Sequence, residues 1–128
     1  MAMLDDIGAY LAAHSIGTVG TNIFLGDMPE TPDVCVALYE YAGEPPEAAH
    51  DSQVLEYPGL QVRVRGTSYS AVKTAIENIQ SHLFPLANTT LSGSRYLYFR
   101  PVQSPFSLGR DSSKRVEMVQ NYIVTKAR

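Results

Sequence analysis

Three features of this 128-residue sequence predict an α+β fold, a mostly antiparallel sheet with two helices packed on one face in the order α-β-β-β-α-β-β. One stretch repeats apolar residues at alternating three- and four-residue steps, as an amphipathic helix does. Several shorter stretches alternate apolar and polar residues with the period of two that a strand requires. Clusters of Gly, Pro, Ser and Asp separate the two kinds of stretch and supply the turns.

The elements follow in chain order. Leu4, Ile7 and Leu11 fall at helical spacing, Asp5 and Asp6 stand near the start where the helix dipole favours negative charge, and Gly17 is the expected stop. Residues 22–25 read as a short strand closed by Gly26, Asp27 and Pro29, and residues 33–41 as a second strand with β-branched and aromatic content. Residues 42–52, AGEPPEAAHDS, have little apolar surface to bury and predict an exposed loop or a partly disordered flap. That segment is acidic through Glu44, Glu47 and Asp51, and is either a solvated connection or an arm that contacts a partner.

A third strand runs through YPGLQVRVRG, where Leu60, Val62 and Val64 alternate with Gln61, Arg63 and Arg65. Gly66, Thr67 and Ser68 then turn the chain and cap the second helix. Tyr69, Val72, Ile76, Ile79 and Leu83 form its apolar stripe, and Pro85 ends it. Residues 86–94 read as a turn. Strands follow in RYLYFRPV and RVEMVQNYIVTKA, the latter apolar on both faces as a central strand is.

Composition narrows the function. The length suits one domain with its own core, and the net charge of −3 gives no general attraction to nucleic acid or anionic membrane. The single cysteine, Cys35, lies in an apolar run, excludes an intrachain disulfide and reads as a buried, inert thiol. The N-terminal stretch has neither a basic start nor a long apolar run, so neither a signal peptide nor a membrane span is expected and the reducing cytosol is the expected place of synthesis.

Chemistry-bearing motifs are scarce. His14, His50 and His82 have no metal-ligand spacing, so no metal site is expected. Ser70 and Lys73 match S-x-x-K without its companion elements and are better placed as first-turn helix residues. Asp27, Glu30 and Asp33 around Pro29 and Pro32 are turn chemistry, and no phosphate-binding glycine loop or nucleophile elbow occurs. No catalytic residue and no cofactor is expected. A nucleic-acid-binding module is the alternative from another class, because Arg63, Arg65, Arg95, Arg100, Tyr96 and Tyr98 lie on strands where bases can stack.

Three segments taken together resemble the tail terminator family of long-tailed bacteriophages, of the minor capsid protein type. They are NIFLGDMPETPDVCVALYEY, then YPGLQVRVRG with the helix SYSAVKTAIENIQSHL, and PFSLGRDSSKRVEMVQNYIV, in which residues 108–111 precede Arg115 and the last strand. Their order and spacing, from about residue 4 to 126, carry the resemblance more than any single motif. It implies a structural protein without catalysis: a hexameric ring on the head-proximal end of the tail tube, assembled in the host cytoplasm. Such a ring stops tube polymerisation and joins the head, with tail tube protein and head-closure or connector protein as partners and DNA passing unrecognised through the lumen. A head-closure or tail-completion component is the alternative within virion assembly. On this resemblance Arg63 and Arg65 are candidates for a subunit or lumen surface. Arg110 and Asp111 either anchor the turn at Gly109 or pair across subunits, and Glu44 and Glu47 belong to the candidate arm.

Overall fold

A computed structural model describes residues 2–47 and 55–127. Its elements are α1 (Met3–Ala13), β1 (Ile23–Leu25), β2 (Cys35–Glu47), β3 (Leu55–Gly66), α2 (Tyr69–Leu83), β4 (Ala87–Leu91), β5 (Ser94–Pro101), β6 (Phe106–Arg110) and β7 (Val116–Ala127). The strands form one sheet in the order β1-β2-β3-β7-β5-β4, with β6 also on β7. Every pairing is antiparallel except β1 with β2, so the α+β architecture and the element order are as the sequence predicts.

The local chemistry explains the elements. In α2, Val72, Ile76, Ile79 and Leu83 are buried, and the Ser68 side chain caps the first turn by accepting from the Ala71 N–H at 3.3 Å. Tyr69, at the head of the predicted stripe, is exposed instead. Helix α1 buries Met3, Ile7 and Leu11, and ends before Gly17, where Ser15 takes a left-handed φ of 64°. Both helices join Val36, Leu38, Leu60, Val62, Val64, Met118, Tyr122 and Val124 in one core, on the same face of the sheet.

Two strands arise where turns or connections were expected. Residues 87–91 form β4, which folds back on β5 through Ser92 and Gly93, both at positive φ, the signature of a two-residue hairpin turn. Residues 106–110 form β6 along the first half of β7, whose second half pairs β5; a single long central strand thus holds two short ones end to end. The acidic segment is also partly strand: β2 continues to Glu47 in register with β3, because irregularities after Tyr41 and Glu44 let the ladder absorb its prolines and glycine. Residues 48–52 of that segment, with His50 and Asp51, lie outside the described residues.

A bulge also changes β5. Simple alternation sets Tyr96 with Tyr98 and against Phe99, but the register shifts between Tyr96 and Tyr98 and brings Tyr96 and Phe99 into the core together. Their rings stack at 5.7 Å between centroids. The Tyr96 hydroxyl donates to Asp6 Oδ2 at 2.6 Å, so Asp6 is a buried acceptor as well as an acid in the first turn of α1. Burial, reinforced by that hydrogen bond, pushes the Tyr96 phenol far above its ordinary range.

Candidate functional site: the helix-free sheet face

With both helices on one face, the other face of the sheet carries no helix. Register places Tyr39, Gln61 and Asn121 in one row across β2, β3 and β7, Ala37, Arg63 and Val119 in the next, and Cys35, Arg65 and Glu117 in a third. These rows close at both ends and stay open in the middle.

At one end lies the connection of residues 26–34, which contains the cis Thr31–Pro32 peptide. Arg65 is only 3% exposed and spends its guanidinium on backbone carbonyls: Nη2 donates to Pro29 at 2.7 Å and Pro32 at 2.6 Å, and Nε to Asp33 at 3.3 Å. Arg115, its side chain 8% exposed, grips the same connection from β7's start. Its Nη2 meets Glu30 Oε1 at 2.9 Å, Nη1 meets Asp33 Oδ1 at 3.3 Å and the Glu30 carbonyl, and Nε meets Asp111 Oδ2 at 2.9 Å. Cys35 is buried here. Burial raises its thiol pKa although Arg65 and Arg115 pull the other way, which keeps the sulfur protonated and unreactive.

At the other end Tyr41 lies across Gly59, where an added Cβ would come within 2.5 Å of the ring, and its hydroxyl donates to the Tyr122 carbonyl at 3.0 Å. Glu44 reaches Arg100 on β5 at 3.4 Å across the two intervening strands.

The middle is loosely tied. The Arg63 guanidinium sits 5.3 Å from the centre of the Tyr39 ring, donates to Gln61 Oε1 at 3.3 Å and pairs with Glu117 at 3.8 Å. Gln61 in turn donates to Asn121 Oδ1 at 3.1 Å. Arg63 keeps 32% of its side chain exposed. Aromatic and arginine side chains over a buried apolar floor (Ala37, Val119) have the composition of a protein-binding surface. Among the described residues no three metal-ligating side chains cluster. A cleft of ≈ 140 Å³ between α2 and β2, lined by Val34, Val64, Ala75 and Ile79 among others, contains no acidic or basic side chain.

The profile of a bacteriophage tail terminator protein family matches residues 10–128. The chain belongs to that family. The fold agrees: a chain from the solved structure titled "Virion of native gene transfer agent (GTA) particle" superimposes with a TM-score of 0.71 at 14% identity, covering 99% of this chain and 96% of that one. Comparison with curated proteins gives no match. This terminator-family chain is thus a structural phage tail protein whose fold recurs in a virion.

The predicted site residues separate. Arg63 lies on the open middle of the helix-free face. Arg65, expected beside it on an accessible surface, is buried under residues 29–33, because the connection from β1 crosses that end of the sheet. Arg110 and Asp111 both secure their own turn: Arg110 Nη1 donates to the Lys114 carbonyl at 2.7 Å, and Asp111 Oδ1 accepts from the N–H groups of Ser113 and Arg115, each at 2.9 Å. The backbone N–H of Arg115, ahead of its guanidinium and the Ser113 N–H, holds the Asp111 carboxyl below the usual range. Gly109, at φ 88°, shapes a bulge inside β6 rather than the turn itself. Glu44 is exposed and paired with Arg100; Glu47 ends β2, and its side chain lies outside the described residues.

Sequence reasoning passed over Arg115, Tyr39 and Asn121. Arg115 and its Glu30 partner are 85 residues apart, and no spacing rule joins positions so distant. Tyr39 gave no signal, because β2 is apolar on both faces from Cys35 to Leu38 and alternation cannot assign its face.

Proposed function

We propose that the protein caps the head-proximal end of the phage tail tube as a hexameric ring, stops tube polymerisation and offers the surface that joins the head's connector. Its role is mechanical rather than catalytic, and DNA passes through the ring without sequence recognition. The family match over residues 10–128 carries this reading. The helix-free face supports it, because a ring needs a broad surface on each subunit and the open patch of Tyr39, Gln61 and Arg63 provides one beside the helices' own packing.

The test is direct. Purified protein is added to preformed tubes of the tail-tube protein from the same virus, and the ends are imaged by negative-stain electron microscopy. A ring-like cap at one end, with elongation blocked there, is the expected result. Bare ends that continue to grow at saturating protein would transfer the protein to head closure and make connector binding the next experiment.

A further inference from the structure

Charge is segregated along this chain. Residues 1–62 contain ten Asp and Glu and not one Lys or Arg, whereas residues 63–128 contain all ten Lys and Arg and three acids. Folding offsets part of the imbalance by pairing Glu30 and Asp33 with Arg115, Glu44 with Arg100 and Glu56 with Lys126, while Arg63–Glu117, Lys73–Glu77 and Arg115–Asp111 pair within the second half.

The remainder is sorted by strand order. Among the described residues the exposed acids Asp27, just past β1, and Glu40, on β2, have no basic side chain at ion-pair distance. Among the described residues the exposed bases Arg95 on β5, Arg110 on β6 and Lys114 in the following turn meet no carboxylate either; Arg95 bonds the Asn88 side chain and Arg110 a carbonyl. In the order β1-β2-β3-β7-β5-β4, with β6 also on β7, these acids lie on or beside the first two strands and these bases on or beside β5 and β6; a further exposed acid without an ion pair, Asp5, lies on α1. Each side also exposes two apolar side chains: Val19 and Val34 (60% exposed) beside β1 and β2, Phe106 and Leu108 (48% exposed) on β6.

We infer that neighbouring copies in the ring meet edge to edge, the acidic β1–β2 side of one against the basic β5–β6 side of the next. This rests on the ring reading and specifies its contact. A two-fold contact pairing either edge with itself would set like charge on like charge. A head-to-tail contact satisfies both edges of every copy and closes into a ring if the rotation permits. The exposed valines, Phe106 and Leu108 supply apolar area beside the charges, and β6 presents a free edge.

Two exposed-residue variants decide it: Asp27→Lys with Glu40→Lys for the acidic edge, and Arg95→Glu with Lys114→Glu for the basic edge. Self-association is measured by sedimentation velocity and by ring formation on tube ends. Each variant alone is expected to lose association by about tenfold or more, and wild-type association to weaken between low and high salt. An equimolar mixture of the two is expected to assemble again with the variants alternating, because one contact between them is intact and the other is complementary with its charges reversed, and a chain carrying all four changes is expected to assemble through the reversed contact alone. Wild-type-like rings from either variant alone, or a mixture and a four-change chain that stay folded but unassociated, would overturn the edge assignment while leaving the ring intact. A wild-type chain that forms no ring in solution or on tubes would overturn the ring reading itself, and the edge contact with it.

Discussion

The two faces of this sheet solve different problems. The helix-covered face is largely apolar, and the polar groups it buries are few, Tyr96 with Asp6 and Gln120 with the Gln103 carbonyl among them. The helix-free face has no second layer, so it is closed at one end by arginines gripping a connection, at the other by Tyr41 over Gly59, and is left open between. Arg63 and Arg65 sharpen the contrast: they stand two residues apart, on one strand and one face, with opposite fates. Arg65 is fully occupied inside the molecule, whereas Arg63 keeps loose partners and access to solvent. What lies above a strand, more than the strand itself, decides whether its arginine stabilises the fold or faces a partner.

That comparison can be broken by mutation. Arg65→Ala strands three carbonyls beneath the 29–33 connection and is expected to cost about 3 kcal/mol. A drop of roughly 10 °C in thermal midpoint is the expected readout; a change under a third of that would show that the connection holds without its clamp. Tyr96→Phe tests the covered face. It leaves the buried Asp6 carboxylate without its donor, an expected loss of about 2 kcal/mol by chemical denaturation.

The same residue carries a pH signature. A phenol whose folded pKa is raised contributes stability that is present below its unfolded value of about 10 and is lost as pH rises beyond it. Tyr122, also raised by burial, shares the effect, so Tyr96→Phe is expected to reduce the fall in stability above pH 10 without abolishing it.

Smaller effects belong to the open region and the turn. Arg63→Ala is expected to change monomer stability by less than about 1 kcal/mol, because its ion pair is long and one-third exposed. It is expected to weaken ring formation instead; a monomer that melts as low as Arg65→Ala would erase the distinction between the two arginines. Asp111, held below its ordinary pKa, contributes stability above about pH 4 that disappears as pH falls through its folded value. The difference in melting temperature between wild type and Asp111→Asn is therefore expected to close between pH 5 and pH 2, pH values chosen to bracket about 4. An unchanged difference at low pH would assign the turn to its backbone alone.

The α2 stripe, the Ser68 cap, the alternation in β3 and the two-sided apolar pattern of β7 are local properties, and each was legible because periodicity reports burial directly. Strand β4 left a readable trace in Ser92-Gly93, a short hairpin turn passed over because the flanking residues are small and polar. The short β6 and the bulge in β5 left none, since both exist only because β7 is long enough to pair with two strands at once. Arg63, Glu44 and the Asp111 turn were visible as candidates. The ion-pair partners of Arg63 and Glu44 were not, because they lie on other strands tens of residues away.

By itself the sequence determined the fold class, the helix that packs on the sheet, the order of elements and the segments shared with tail terminators, because these depend on residue patterns a few positions long. Only the tertiary structure decided which arginine is buried, which tyrosine enters the core and which charges remain unpaired. Those outcomes depend on what the chain lays over each strand, and that is set by contacts between distant segments whose separation no local pattern encodes.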